Sequence, residues 1–184
     1  MLMLLAMGVV WALMPQRSVA LAQELVDNPV YQSWAKGKPG TTVTLSQEII
    51  AMGSMRRMDM TSKLVELTPA KAVVETTSKN IESNSQTTTK AEVRAKVKKQ
   101  DVVGTLTMEP GIKVKLLPDE DVTVGGKTYK CKVFEWTGEL RGMNTSGKGW
   151  ACQEVPGQMV KSEGNLSALL ETTAMVILKA VDVK

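Results

Sequence analysis

Beyond Thr41 the chain alternates between apolar and polar positions. In TTVTLSQEIIA (41–51), Val43, Leu45, Gln47, Ile49 and Ala51 fall on one side of a two-residue period, the repeat of a half-buried strand. The same texture, rich in Thr, Val, Lys and Glu, returns at 58–67, 70–83, 85–99, in pieces of 102–117, and at 127–136, 148–155 and 159–164. It closes the chain at 166–183, where Leu170, Thr172, Ala174, Val176, Leu178 and Ala180 alternate. β-Branched side chains suit the pleated surface of a sheet. Thr68-Pro69 and Ser83-Asn84 punctuate the strands, and Val155-Pro156-Gly157 reads as a corner, because Pro fixes φ and Gly accepts a positive one. Gly125-Gly126 between Val122-Thr123-Val124 and Lys127-Thr128-Tyr129 is the sharpest hairpin signal, since both residues tolerate a primed turn. Thr137–Gly147 reads as a polar, Gly-rich loop, and Asp119-Glu120-Asp121 as a solvated turn.

About nine strands joined by short turns describe an antiparallel meander rather than βαβ units. The helical candidate ahead of them lies within residues 23–40. Asn28 can cap a helix whose first residue is Pro29, Tyr31, Trp34 and Ala35 share a face, and Gly37-Lys38-Pro39-Gly40 ends it. The expected fold is mainly β: a curved antiparallel sheet, an incomplete barrel of meander topology, with one short N-terminal helix.

The start of the chain is of another kind. Met1–Met14 is a continuous apolar run without Lys or Arg, followed by Ser18-Val19-Ala20-Leu21-Ala22. A transmembrane helix needs about 20 apolar residues, whereas a short run ending in Ala-x-Ala reads as a secretory signal cleaved after Ala22. Residues 1–22 are therefore expected to be a signal peptide, and 23–184 a single β-rich domain. The expected location is periplasmic or secreted, with no integral membrane segment after cleavage. The region of the cleavage point holds no Cys to carry a lipid.

Composition then narrows the chemistry. The chain has 23 Lys+Arg against 19 Asp+Glu and no His. So small an excess, without a basic helix or an RNA-binding aromatic motif, gives no expectation of nucleic-acid binding. Without imidazole, Ser-His-Asp and Cys-His systems and His-based metal sites are excluded. No phosphate-binding loop opens a helix, so no cofactor and no enzymatic activity are expected. Met52, Met55, Met58 and Met60 could offer soft sulfur to Cu(I). Arg56 and Arg57 lie among them, and flexible Met lining a sheet face is the better reading. Lys90, Arg94, Lys96 and Lys98 share one side of a strand, as on a solvated face or protected edge. Cys131 and Cys152, in an exported chain, could form a disulfide closing a loop of roughly 20 residues, or remain two buried thiols.

One stretch carries a resemblance. Gly125-Gly126-Lys127-Thr128-Tyr129-Lys130-Cys131-Lys132-Val133-Phe134-Glu135, followed by Trp150-Ala151-Cys152-Gln153-Glu154-Val155-Pro156-Gly157 and Val160-Lys161-Ser162-Glu163, resembles a group of uncharacterised secreted bacterial proteins. Lys63–Glu75 (KLVELTPAKAVVE) fits the same group. The order of elements, a helix and then a curved sheet, also resembles LolA/LolB-type lipoprotein carriers, which implies an apolar cavity and a lipid or other apolar small molecule as ligand. Trp34, Met52, Met58, Met60, Trp136 and Trp150 are the expected cavity residues, as bulky and adaptable apolar groups. The competing expectation is a structural or interaction module of the cell envelope with a filled core.

Overall fold

The computed structural model describes residues 24–51, 53–104, 106–107, 111–140, 143–167 and 171–182. Residues 1–22, the expected signal peptide, and Met52 lie outside them. The first elements are β1 (Leu25–Asp27), α1 (Pro29–Trp34), β2 (Thr42–Ala51), β3 (Ser54–Leu67), β4 (Lys71–Asn80) and β5 (Gln86–Arg94). Short pieces follow: β6 (Lys96–Lys98), a 3-10 turn at Lys99–Asp101, β7 (Val102–Val103) and β8 (Leu106–Thr107). The long strands β9 (Ile112–Val124), β10 (Lys127–Leu140), β11 (Met143–Ala151), β12 (Met159–Ser167) and β13 (Glu171–Asp182) complete the order.

Among the described residues, nine strands form one antiparallel sheet in the order β5-β4-β3-β2-β13-β12-β11-β10-β9, and β1-β6 and β7-β8 are separate pairs. The sheet is curved and not closed into a barrel, as the alternation implies. It is not one continuous meander. Two meanders, β2–β5 and β9–β13, join where β2 pairs with β13, from Thr42↔Asp182 to Ala51↔Thr172. The chain leaves at one sheet edge, β5, and re-enters at the other, β9.

Local chemistry sets the turns. The Asn28 side chain caps α1 by accepting from Val30 N–H at 3.0 Å, with Pro29 at the first turn. Gly125 and Gly126 both take positive φ, 59° and 79°, between β9 and β10. Three readings from the sequence need correction. Thr137–Gly147 is mostly strand, because Thr137–Leu140 pairs with Met143–Ser146. Asp119-Glu120-Asp121 lies within β9, where the register with β10 slips between Cys131 and Val133. That bulge lets a Pro-containing acidic segment stay in the sheet. The segment 148–155 is likewise shorter as a strand, for β11 ends at Ala151 and a turn runs to Gln158.

The main core holds Trp34, Val43, Leu64, Ala72, Val74, Tyr129, Cys131, Val133, Trp150, Cys152, Val155 and Val160. Helix α1 plugs this end of the sheet. Tyr31 Oη–H donates to Thr68 O at 2.7 Å on the β3–β4 turn. Gly157 N–H donates to Ser33 Oγ at 2.9 Å, and Gln158 Nε2 donates to Pro29 O at 3.2 Å, from the β11–β12 turn. On a flat sheet these turns would stand roughly 14–24 Å apart, while a six-residue helix is only about 9 Å long. The helix reaches both because the sheet curls around it.

Candidate functional site

Facing residues of antiparallel strands share a sheet face, so the register traces that face across the molecule. One row runs Leu116, Phe134, Gly149, Ser162, then through β13 at position 176, to Gln47 and Met58. The next runs Val114, Trp136, Gly147, Gly164, through β13 at position 174, to Ile49 and Arg56. Met60, opposite Leu45, stands on the same face two residues from Met58. Met58, Met60 and Trp136 are thus brought to one face, each half-buried. Large groups flank the rows, and Gly149, Ser162, Gly147 and Gly164 leave β11 and β12 low between them.

The aromatic rings lie across those low strands. A Cβ at Gly149 would fall 2.4 Å from the Phe134 ring, and one at Gly147 or Gly164 would fall 2.3 or 2.8 Å from Trp136. These positions require a residue with no side chain. Phe134 and Trp136 stand 5.8 Å apart at 40°, and Trp136 Nε1–H donates to the Thr145 hydroxyl at 3.2 Å. With Ala151 and Val114 they form a second apolar cluster. Reading Thr137–Gly147 as a loop missed this partnership; its signal was Gly147 and Gly149, two apart, against Phe134 and Trp136, also two apart.

The opposite face is charged along one row and buried in the next, where Val133 pairs with Trp150. Lys115, Glu135, Lys148 and Glu163 follow one another across β9 to β12, and Glu48 and Arg57 continue the row beyond β13. Charges of alternating sign avoid like pairs in direct opposition. A depression of about 410 Å³ lies along this stretch of β10–β12, lined by Glu135, Thr137, Ser146, Lys148, Glu163 and Asn165 and also by Trp136, Gly147 and Gly164. The basic stretch of 90–99 is divided among β5, β6 and the following turn, with Lys90 on Glu75, Lys96 on Asp27 and Lys99 on Glu24.

Trp34 and Trp150 are packed into the main core at the plugged end. Trp150 Nε1–H donates to Glu120 Oε2 at 2.8 Å, and Lys148 Nζ donates to Glu120 Oε1 at 2.9 Å. The Lys148 and Lys161 ammonium groups lie 4.8 and 4.7 Å from the ring centroid of Trp150. The indole hydrogen bond first, and then Lys148, hold the Glu120 carboxyl below the ordinary range. This arrangement gives the acidic segment of β9 a role in seating a buried tryptophan. Cys131 and Cys152 are both buried free thiols. Among the described residues no group of three His, Cys, Asp or Glu side chains could hold a metal ion, and no helix is long and apolar enough to cross a membrane.

No protein-family model and no curated protein matches this sequence. Solved structures do. A "putative lipoprotein" from Parabacteroides distasonis ATCC 8503 is 12% identical, with 79% of this chain and 96% of that chain covered at a TM-score of 0.51. A "putative exported protein with YmcC-like fold" from Bacteroides fragilis NCTC 9343 is also 12% identical, covering 79% and 97% at a TM-score of 0.49. A LolA superfamily protein from Nitrosomonas europaea is 11% identical, covering 86% and 94% at a TM-score of 0.22. The first supports a shared fold; the overlap with the other two is too slight to argue from. The chain is similar in fold to a bacterial protein of the first kind.

Proposed function

We propose that the chain is an exported, non-enzymatic protein whose curved sheet holds a lipid or another apolar molecule on the face carrying Met58, Met60 and Trp136. The observation that supports this is the profile of that face: half-buried apolar groups on the outer strands, with Gly and Ser between them. A trough of that profile suits an acyl chain, because flexible Met and flat Trp adapt to a partner without polar anchors. Met52 and Trp34 remain members of the proposed lining; Trp150 pairs with Val133 and lies across the sheet from Phe134 and Trp136. The apolar Met1–Met14 run and the Ala20-Leu21-Ala22 site support export, to the periplasm or beyond.

A second reading has its own support. Phe134 and Trp136 already occupy the space above Gly149, Gly147 and Gly164, as in a filled interaction module with no small ligand. Native mass spectrometry of the purified mature protein, before and after organic extraction, separates the two. A lipid-sized mass that extraction removes, with binding of a fluorescent fatty-acid probe afterwards, is the outcome expected of the carrier. Met58→Glu should then weaken probe binding at least tenfold with the thermal midpoint little changed. If no such mass is retained and the probe does not bind, the carrier reading is lost and the filled module stands.

A further inference from the structure

The pairing of β10 with β11 ends at Lys132↔Ala151, so the next positions outward, Cys131 and Cys152, face each other. Cys152 N–H donates to Gln158 O at 2.7 Å, and Cys152 O accepts from Val155 N–H at 3.1 Å. Both of its backbone groups are therefore turned into the β11–β12 turn and away from β10. That makes the cysteines a non-hydrogen-bonded cross-strand pair, in which facing Cα atoms sit about 4.5 Å apart with side chains on one face. Disulfides span Cα separations of roughly 4.4–6.8 Å. Both side chains are enclosed, 1% and 4% exposed.

We propose that Cys131 and Cys152 are a modification site, oxidised to a cross-strand disulfide by exchange with a small-molecule or protein disulfide. One cysteine thiolate attacks the donor disulfide, forming a mixed disulfide and releasing one donor thiol. The second cysteine thiolate attacks the protein sulfur of that mixed disulfide, forming the Cys131–Cys152 bond and releasing the second donor thiol. Two electrons pass to the donor, and the protons of the two cysteines end on the donor sulfurs. Burial above all, and then the neighbouring Cys152 thiol, push the Cys131 thiol up to about 12 in the folded protein. The exchange thus belongs to the folding chain, before the Cys152–Gln158 turn closes over it, and the finished bond is shielded from reductants.

Full-length chain refolded from denaturant with a mixture of reduced and oxidised glutathione tests this without any assumption about ligand. After quenching and alkylation in denaturant, intact mass should show neither cysteine alkylated, and both alkylated once a reductant is added first. Non-reducing electrophoresis should show a monomer. Two alkylated cysteines without reductant, a glutathione adduct that persists, or a disulfide-linked dimer each overturns the proposal. Since no substitution is made, failure of a variant to fold cannot stand in for an answer.

Discussion

At Gly149 the missing side chain is a positive requirement. Its Cβ would meet three atoms of the Phe134 ring within 3 Å, all of them side chain, so Phe134 must leave its place if Gly149 acquires a methyl. Crowding of this kind costs about 1–3 kcal/mol. Gly149→Ala should lose that amount in urea denaturation, and Phe134→Ala about 3–5 kcal/mol. The double variant should lose clearly less than the sum, because the two changes remove each other's conflict. Strict additivity would mean that the ring does not rest on the glycine. Gly147 offers no such test: its Cβ would also meet the main-chain oxygen of Glu163 at 2.4 Å, which removing Trp136 does not relieve.

At the start of helix α1, Asn28 makes two fastenings at once. The Asn28 side chain accepts from Val30 N–H and donates to Arg94 O at 2.8 Å, tying the cap to the end of β5. Asn28→Ala should destabilise by about 1–2 kcal/mol. Asn28→Asp, which keeps the acceptor and loses the donor, should fall between it and the parent; equal stability of all three would sink this account. The cap was legible in Asn28-Pro29, as the β9–β10 turn was in Gly125-Gly126, because both depend on adjacent residues. The edges of β9 and β10 were not. Pro118 and three acids read as a break until Lys132, bound to Asp119 at 2.7 Å, and the Glu120 contacts with Lys148 and Trp150 are seen across the sheet. Alternation also assumes one wet face, whereas Val133 and Phe134 are consecutive and both buried. A strand buried on both faces loses its period. The candidate ligand face was legible only in part: Met58, Met60 and Trp136 could be chosen as bulky groups, but their common face depends on the order in which distant strands pair.

Across the whole molecule, the pairing of β2 with β13 is the seam on which both meanders depend. Without β13, β2 would end the first meander as a bare edge and β12 the second, each presenting unpaired backbone groups. A chain stopped at residue 170 should therefore show no cooperative thermal transition, and a synthetic peptide of residues 171–182 added in trans should restore part of it by strand addition. Retention of a full transition by the shortened chain would show that the meanders stand alone. Synthesis order gives this seam a further meaning. The first strand of the large sheet to leave the ribosome waits for the last, since the partner of Thr42 is Asp182. Contacts so far apart in the chain form slowly, so this seam closes after the local hairpins on either side of it. Under the export proposed above, that delay would leave the chain in a form that can still pass through a membrane.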